Sequence, residues 1–294
     1  MLKGRLGLES ARIPQSDRHG LFWLGRGSLY VQDGTLRFAT SGTERMPAGN
    51  YAIPFQMLNC VLLEPGSTVS HDAFRLLARH GVGLVAVGEG GVRLYASMPA
   101  GPGASRLARA QVRAWADGGG ERVRVARHMY AWRLGEVLGA TQIEVLRGME
   151  GARAKETYRR LAEQHGIAWH GRRYDRANPD AADIPNQAIN HAATAVVAAA
   201  EVAVAVSGTI PQLGFIHEDS AIAFPLDVAD LYRDSVTVAV AFAAAAQVAR
   251  GGTEPLERVV RRLVAAEIRR LQLIPEMIDR IKGLLDGDDG LGHA

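Results

Sequence analysis

The sequence predicts an α+β protein, with a mostly β N-terminal domain that contains one helix and a C-terminal domain built from helices alone. Short alternating apolar runs, separated by glycine-rich turns, fill the first 97 residues. Apolar residues at helical spacing fill residues 106–286. Between them, the segment SMPAGPGAS contains proline and glycine residues that neither a helix nor a central strand tolerates.

The N-terminal elements follow from local signals. Asp33-Gly34 suits the positive backbone angles of a tight hairpin, so SLYVQDGTLRFAT predicts two paired strands. Residues 57–63 predict a further strand. Ser70 is a candidate N-cap and Gly81 a stop signal, which predicts a short helix between them. The run VGLVAVGEGGVRLYAS predicts a strand, a glycine hairpin and a strand, because no lysine follows to make the turn a phosphate-binding loop.

The second domain is predicted to contain seven helices. They span residues 106–116, 123–138, 143–164, 185–206, 228–249, 255–271 and 275–285. We therefore expect an N-terminal domain at 1–97, a linker at 98–105, a helical domain at 106–286 and a polar tail at 287–294. The glycine-rich composition of the tail predicts disorder.

The composition indicates a folded protein with an unusual kind of positive charge. The 294 residues are 47% hydrophobic, which is enough for a large core. Of the 34 basic residues, only Lys3, Lys155 and Lys282 are lysines, and arginine is the side chain suited to bidentate phosphate contacts. A GC-rich genome would produce the same bias. The composition therefore permits nucleic-acid binding without establishing it.

The sequence gives no sign of export or of membrane insertion. Cys60 is the single cysteine, which excludes an internal disulfide and a metal site built from paired thiolates. Charges are scattered through the apolar residues of the first 20 positions, unlike a signal peptide. Residues 188–206 form the longest apolar segment, but His191 and Glu201 interrupt it, so we interpret it as a buried helix. We expect a cytoplasmic protein that binds no membrane.

Three potential metal ligands occur in GFIHEDSAIAFPLDVADLYRD, a segment otherwise rich in residues that favour burial. Asp227 and Asp230 are three positions apart, so a helix would place both carboxylates on one face, able to converge on one ion. Pro225 suits helix initiation, and the helix dipole favours carboxylates in a first turn, so simple capping is an alternative. His217 by itself is equally consistent with a structural, hydrogen-bonded histidine.

Glu150 is a further candidate ligand. It lies in LRGMEGARAKETY between Gly148 and Gly151, and each glycine costs a helix about 0.5–1 kcal/mol relative to alanine. The bare backbone indicates either that another helix packs closely there or that a ligand approaches Glu150. Glutamate, histidine and aspartate together suit Mg²⁺ or Mn²⁺ and leave coordination positions for phosphate oxygens.

The segment ERVRVARHMYAWRLGE places four arginines beside aromatic residues. Arg122, Arg124, Arg127 and Arg133 are typical of a nucleic-acid-binding helix, but a solvated helix face gives the same pattern. The sequence leaves both interpretations open.

Four segments resemble the family of CRISPR-associated adaptation integrases, Cas1, in its type I-E form. They are LRGMEGARAKETY, WHGRRYD, GFIHEDSAIAFPLDVADLYRD and, in the first domain, LEPGSTVSHDAFRLLARHGVGLVAVGEGGVRLYAS. These segments follow one another from about residue 62 to residue 234 in order and with matching spacing, which is more specific than any single motif. The first sixty residues and the C-terminal third match loosely.

The resemblance implies a metal-dependent DNA integrase with a β-sandwich-like N-terminal domain and a helical catalytic C-terminal domain. Its metal ligands would be Glu150, His217 and Asp230, with Asp227 as a nearby catalytic acid, and the ion would be Mg²⁺ or Mn²⁺. It also implies homodimers that flank a dimer of the partner protein Cas2 and act on double-stranded DNA. The residues expected to contact DNA are Arg75, Arg93, Arg172, Tyr174 and Arg233.

The chemistry implied by the resemblance is direct transesterification. The 3′ hydroxyl of a short duplex attacks a phosphodiester of the CRISPR repeat, and a divalent ion activates the hydroxyl or polarises the phosphoryl oxygen. Loss of any ligand should abolish joining. Two sites in separate subunits would process the two ends of one duplex, which explains a symmetric assembly.

Two positions depart from the family pattern. Ser220 stands where some relatives have a lysine that reads the protospacer-adjacent motif, and the anionic Glu218 and Asp219 precede it, which leaves the motif preference open. Val197 stands where some relatives have a tyrosine. Two other functions stay open: a metal-dependent nuclease that cuts branched or single-stranded DNA without joining it, and a non-catalytic DNA-binding scaffold.

Overall fold

The computed structural model describes residues 20–43, 46–98, 105–117, 120–136, 139, 142–173 and 182–286. Within these ranges, strands, one α-helix and two short 3-10 helices (Phe55–Met57 and Glu89–Gly91) form the N-terminal part, and helices alone form the C-terminal part. The predicted fold class is confirmed. Three of the predictions fall outside the described residues: most of the linker (99–104), Tyr174 and the tail at 287–294.

Two four-stranded sheets face each other in the N-terminal part. The strands are β1 (Gly20–Leu24), β2 (Gly27–Gln32), β3 (Thr35–Thr40), β4 (Gly49–Ala52), β5 (Leu58–Leu63), β6 (Ser67–Val69), β7 (Gly83–Val87) and β8 (Leu94–Ser97). The first sheet has the order β1-β5-β7-β8 and is parallel except for β8, and the second has the order β4-β3-β2-β6. The predicted hairpin is confirmed, because β2 and β3 pair antiparallel around Asp33 (φ 51°) and Gly34 (φ 73°).

The predicted N-terminal helix is α1 (His71–His80). The Ser70 hydroxyl accepts a hydrogen bond from the Ala73 N–H at 3.2 Å, and Gly81 ends the helix with φ 64°. The helix packs onto the second sheet through β2 and onto the first through β7. Both predicted end signals are confirmed.

The buried strand β5 joins the two halves of the molecule. All its side chains are buried, and from Cys60 to Leu63 they alternate between two apolar clusters. Val61 and Leu63 lie in the cluster between the sheets, whereas Cys60 and Leu62 lie in the cluster that continues into the helices. The first sheet is therefore a middle layer, covered by the second sheet on one face and by helices on the other.

The helical part contains eight α-helices among the described residues. They are α2 (Ser105–Ala116), α3 (Gly120–Leu134), α4 (Ile143–His165), α5 (Ile184–Ser207), α6 (Ala223–Asp230), α7 (Ala239–Ala249), α8 (Leu256–Arg270) and α9 (Leu273–Asp286). Helix α5 packs against α6, α7, α8 and α9. It is long and apolar enough to cross a membrane, yet 61% of its most apolar window is buried inside the protein, which confirms the interpretation as a core helix.

The prediction of one helix over residues 228–249 is wrong. Helix α6 ends at Asp230, a turn follows, and a π-helical segment (Arg233–Val238) leads into α7. The Tyr232 carbonyl accepts from the N–H groups of both Val236 (2.9 Å) and Thr237 (3.0 Å), so the backbone takes up an extra residue there. The break lies between Asp230 and Arg233, whose side chains are hydrogen-bonded to each other.

Candidate metal and DNA site

Three helices hold the loop that carries His217, residues 214–218, which we call the histidine loop. The loop lies between α5 and α6, and its backbone carbonyls accept hydrogen bonds from other elements. The donors are Trp115 of α2 to Gly214 at 3.0 Å, Arg122 of α3 to Phe215 at 3.3 Å and Arg147 of α4 to Ile216. Sequence reasoning missed these contacts, because the residues are distant in the chain.

Asp227 holds the same loop from α6. Its carboxylate is fully buried and accepts from the backbone N–H groups of Phe215 (2.5 Å), Ile216 (3.0 Å) and His217 (2.9 Å). Asp227 does not lie in the first turn of α6. The interpretation as a cap of its own helix is therefore wrong, since the carboxylate caps a loop 10 to 12 residues upstream.

The same carboxylate orients the His217 ring. Nδ1 of His217 lies 2.7 Å from Oδ1 of Asp227, and Nε2 faces Oδ2 of Asp230 at 4.0 Å. The hydrogen bond to Asp227 raises the pKa of His217 above its ordinary value of 6.5. A neutral His217 that donates from Nδ1 to Asp227 presents Nε2 as a lone-pair donor beside Asp230, which is how metal-ligating histidines are fixed.

Glu150 of α4 forms an ion pair with Arg133 of α3. Arg133 NH2 is 2.7 Å from Glu150 Oε1, its Nε is 3.4 Å from Asp234 Oδ2, and its side chain is only 4% exposed. Burial opposes the charge of Arg133, but Asp230, Asp234 and Glu150 together hold its pKa above the ordinary range. Burial, helped by the charges of Glu150 and Asp230, raises the pKa of Tyr130 to about 12. Glu150 and Asp230 therefore lie within electrostatic reach of the same groups.

Arg233 holds the other face of Asp230. Its NH1 donates to Asp230 Oδ1 at 3.1 Å and its Nε to the Tyr158 hydroxyl at 2.6 Å. Burial opposes ionisation, but the Asp230 carboxylate holds the pKa of Arg233 above the ordinary range. Asp230 and Arg233 are three positions apart, and Arg233 begins the π-helical segment that follows α6.

The backbone on either side of Glu150 is open. A Cβ atom added at Gly148 or at Gly151 would meet no atom within 4 Å, apart from its own helix and chain neighbours. The interpretation that another helix packs tightly against these glycines is therefore wrong within the described residues. The remaining interpretation is that they leave room for a ligand that approaches Glu150.

The donor set fits a hard divalent ion. Two carboxylates and a neutral imidazole are the ligands that Mg²⁺ and Mn²⁺ accept, with positions left for phosphate oxygens. Among the described residues, no three such side chains are grouped so that they could hold an ion, and Glu150 and Asp230 are paired with Arg133 and Arg233. Each arginine contacts one carboxylate oxygen in these pairs, which leaves the second oxygen for an ion.

Comparison with known proteins decides the family. A family model described as "CRISPR associated protein Cas1" matches residues 123–251. The CRISPR-associated endonuclease Cas1 3 of Methanospirillum hungatei is 39% identical over 277 residues, which is 93% of this chain and 88% of the relative. The CRISPR-associated endonuclease Cas1 of Escherichia coli K12 is 35% identical, with 93% of this chain and 87% of the relative covered. The chain belongs to the Cas1 family.

Solved Cas1 structures share the fold. TtCas1 in a complex with DNA superposes with a TM-score of 0.82 at 32% identity, over 92% of this chain and 98% of that one. A casposase bound to an integration product has a TM-score of 0.67 at 14% identity, over 92% of this chain and 97% of that one, which shows a common fold.

The Cas1-family resemblance named five DNA-contact candidates, and the structure brings three of them together. Arg93, Arg172 and Arg233 line one cavity of about 740 Å³ beside α5. Arg172 also donates to Asn190 Oδ1 at 2.6 Å, which fixes its position in the cavity wall. Arg75 lies apart, exposed on α1 and paired with Asp72 at 3.0 Å. Its role stays a prediction.

The arginine-rich helix α3 of this Cas1-family chain is neither simply a solvated face nor simply a DNA-binding face. Arg133 points inward to the acidic cluster, whereas Arg122 pairs with Glu218 of the histidine loop and Arg124 pairs with Glu121. The pairing of Glu218 reduces the negative charge beside Ser220 that the sequence indicates. Arg122 therefore supports the histidine loop, and Arg133 pairs with the acidic side chains of the site.

The raised pKa of His217 predicts a pH-dependent metal affinity. Protonated His217 cannot bind a metal, so affinity for Mn²⁺ should be constant above that pKa and fall about tenfold per pH unit below it. In the absence of metal, the pH dependence of folding stability has the opposite direction. The raised pKa of His217 contributes stability that is fully present below pH 6.5 and is lost as the pH rises through the pKa of His217 in the folded protein. Calorimetric Mn²⁺ titration between about pH 6 and pH 8.5 measures the affinity. A flat profile across this range would contradict the assignment of His217.

Gly214 lets the histidine loop pass close to α6. A Cβ atom there would lie 2.9 Å from the Ala223 carbonyl carbon and would also meet the His217 carbonyl oxygen. We expect Gly214→Ala to lower the free energy of unfolding by about 1–3 kcal/mol and to weaken Mn²⁺ binding. Urea unfolding tests this. In Gly148→Ala, where the space is open, stability should rise by about 0.5–1 kcal/mol; equal effects of the two variants would refute the steric argument.

Proposed function

We propose that this chain is a CRISPR adaptation integrase of the type I-E kind, which joins the 3′ ends of a short DNA duplex to a CRISPR repeat with the aid of Mg²⁺ or Mn²⁺. The observation that carries the proposal is the orientation of His217, whose Nδ1 is held by buried Asp227 while Nε2 faces Asp230. The names of the relatives, which are Cas1 endonucleases, and the solved complex of TtCas1 with DNA support it.

The residues of the site would divide the work. Glu150, His217 and Asp230 would hold the ion, which when bound supplies positive charge beside the phosphoryl oxygen and lowers the pKa of the attacking hydroxyl. Asp227 fixes the tautomer of His217 and the backbone of its loop. Arg133 forms an ion pair with one oxygen of Glu150. These contacts would position the side chains before substrate arrives.

The reaction exchanges one phosphodiester bond for another. The 3′ oxygen of the incoming duplex forms a bond to phosphorus as the bond from phosphorus to the leaving oxygen of the repeat strand breaks. The attacking hydroxyl gives its proton to solvent and the leaving oxygen takes one up, so no external energy source is required. Arg93 and Arg172, which line the adjoining cavity, would bind the phosphates of the incoming strand.

The assembly is part of the proposal. Joining two ends of one duplex requires two sites, which a pair of homodimers on either side of a Cas2 dimer would provide. The β domain at 1–97 would contribute dimer and DNA contacts, and the helical domain at 106–286 would carry the reaction. We place the protein in the cytoplasm, where its DNA substrates lie.

An integration assay tests the proposal. The purified chain and its Cas2 partner are mixed with a short duplex that has free 3′ hydroxyls, a supercoiled plasmid that carries a repeat, and Mg²⁺ or Mn²⁺. We expect covalent joining at the repeat in the wild type, its loss in His217→Ala, and wild-type joining in His71→Ala, which replaces an exposed histidine on α1. Equal joining by His217→Ala and the wild type would refute the site.

The DNA product of this assay distinguishes the integrase from the second candidate function, a nuclease without joining activity. The curated relatives are named endonucleases, which favours cutting as an activity of the same residues. Metal-dependent nicking of branched DNA that depends on His217, with no joined product, would replace the integrase proposal with the nuclease.

A further inference from the structure

A tight turn immediately precedes the histidine loop. The Leu213 N–H donates to the Ile210 carbonyl at 3.2 Å, which closes a four-residue turn with Pro211 in its second position. The Pro211 carbonyl accepts a hydrogen bond from the Phe224 N–H of α6 at 2.9 Å. Gly214 follows Leu213 directly, so this turn fixes the point from which the histidine loop departs.

The side chain of Gln111, on α2, binds both ends of this turn. Its Nε2 donates to the carbonyl oxygens of Ile210 and Leu213, each at 2.9 Å, and its Oε1 accepts from the Ile210 N–H at 2.7 Å. Gln111 is fully buried. A glutamine amide has two donor hydrogens and one acceptor oxygen, so the turn engages every polar group of the side chain.

The helix itself does not require a polar residue at this position. Gln111 lies on the buried face of α2 together with Leu107 and Ala114, where an apolar side chain is the ordinary choice. A hydrogen-bonded buried amide adds little net stability, because it has lost its bonds to water. It does specify one arrangement, since any other leaves buried polar groups unpaired. The amide therefore selects the geometry of the turn.

The contacts run without interruption from this turn to His217. Trp115, one helical turn after Gln111 on α2, donates to the Gly214 carbonyl at 3.0 Å. Asp227 then accepts from the next three backbone N–H groups, of which that of His217 is the last. Helix α2 thus holds the start of the histidine loop and Asp227 holds the rest. A displaced turn would move the backbone that presents His217 to Asp227.

We propose that Gln111 is a positioning residue for the metal site, which fixes the turn at 210–213 and thereby holds His217 in the orientation that a metal ion requires. The inference rests on the proposed function, because it takes His217 as a ligand. It adds a residue of α2 that acts through the backbone of the loop. Metal affinity should then depend on a buried amide that is not itself a ligand.

Mn²⁺ calorimetry on Gln111→Met tests the inference. Methionine has a similar length but lacks the amide, so the turn loses all three hydrogen bonds. We expect the Kd for Mn²⁺ to rise about tenfold or more, as it does when the partner of a metal ligand is removed. The matched control is Val61→Ala, a cavity in the cluster between the sheets. It should lower the urea midpoint and leave the Kd unchanged.

A milder variant keeps the test decisive if Gln111→Met does not fold. Trp115→Phe retains a partly exposed ring and removes only the hydrogen bond to Gly214. We expect about threefold weaker Mn²⁺ binding. Hydrogen exchange followed by mass spectrometry gives a second measurement: Mn²⁺ should slow exchange at residues 210–217 in the wild type, and less so in both variants, because coupling between sites is reciprocal.

The outcomes separate this inference from the proposed function. Mn²⁺ affinities of both variants within about twofold of the Val61→Ala control would overturn the inference alone. The expected losses of affinity in a wild-type background that binds Mn²⁺ without joining DNA would support the inference and overturn the integrase. Mn²⁺ binding that His217→Ala leaves unchanged would overturn the ligand assignment and this inference with it.

Discussion

Replacing Asp227 with alanine is expected to lower the free energy of unfolding by about 3–5 kcal/mol and to abolish metal binding. The variant leaves three buried backbone N–H groups, those of Phe215, Ile216 and His217, without their acceptor. Each unsatisfied buried donor costs about 1–3 kcal/mol, reduced where water enters the space left behind. The same change releases the His217 ring, because Nδ1 loses its partner.

Urea unfolding and Mn²⁺ calorimetry measure the two effects. Asp219→Ala is the matched control, since Asp219 is an exposed aspartate next to the histidine loop. It should change stability by less than about 0.5 kcal/mol and leave metal affinity intact. Asp227→Ala with wild-type stability would show that the buried carboxylate does not hold the loop.

Replacing Glu150 with glutamine is expected to reduce DNA joining by about 10³-fold with little loss of stability. Glutamine retains an oxygen for Arg133, so the buried guanidinium keeps a partner, but the anionic ligand is lost. A lost metal contact that acts in the transition state costs several kcal/mol, which corresponds to this loss of rate. Single-turnover joining at saturating DNA, together with Mn²⁺ affinity, measures it.

Glu144→Gln is the control for Glu150, because it changes an exposed glutamate on the same helix. It should join DNA at the wild-type rate. If Glu150→Gln joins DNA within about threefold of this control, Glu150 is not a ligand and its pairing with Arg133 is structural only.

The local signals in the sequence were sufficient for much of the N-terminal half. Asp33-Gly34, Ser70 and Gly81 each act through the backbone of their own neighbourhood, so their effects can be read without knowledge of the fold. The buried strand β5 shows the limit of such reading. Its alternate residues face two different cores, which the continuous apolar run LNCVLL does not reveal.

The break between α6 and α7 was not predictable from periodicity. The helices on either side of it, α6 and α7, consist mostly of apolar residues, so their pattern does not show where the helical phase changes. Asp230, Arg233 and Asp234 lie at this break, where Arg233 pairs with Asp230 and Asp234 with Arg133. Helical spacing alone predicted that Asp227 and Asp230 share one face, but it did not distinguish their roles. In the structure, Asp227 holds the histidine loop, whereas Asp230 faces Nε2 of His217.

The candidate ligands followed from a resemblance, whereas their supports required the structure. Arg133 was visible in the sequence only as one of several arginines in α3, and nothing marks it as the buried partner of Glu150. Trp115 reaches the Gly214 carbonyl across about a hundred residues of chain. Such contacts depend on how helices pack, and a single sequence does not encode them in any local pattern.

The central claim is that Glu150, His217 and Asp230 hold one divalent ion. Anomalous diffraction from a crystal of the protein soaked in Mn²⁺ tests it most directly. We predict one strong anomalous peak with His217 Nε2 and oxygens of Glu150 and Asp230 at about 2.0–2.2 Å, and no such peak in His217→Ala crystals treated in the same way. A peak elsewhere in the molecule with none at these residues, or an unchanged peak in the variant, would contradict the account.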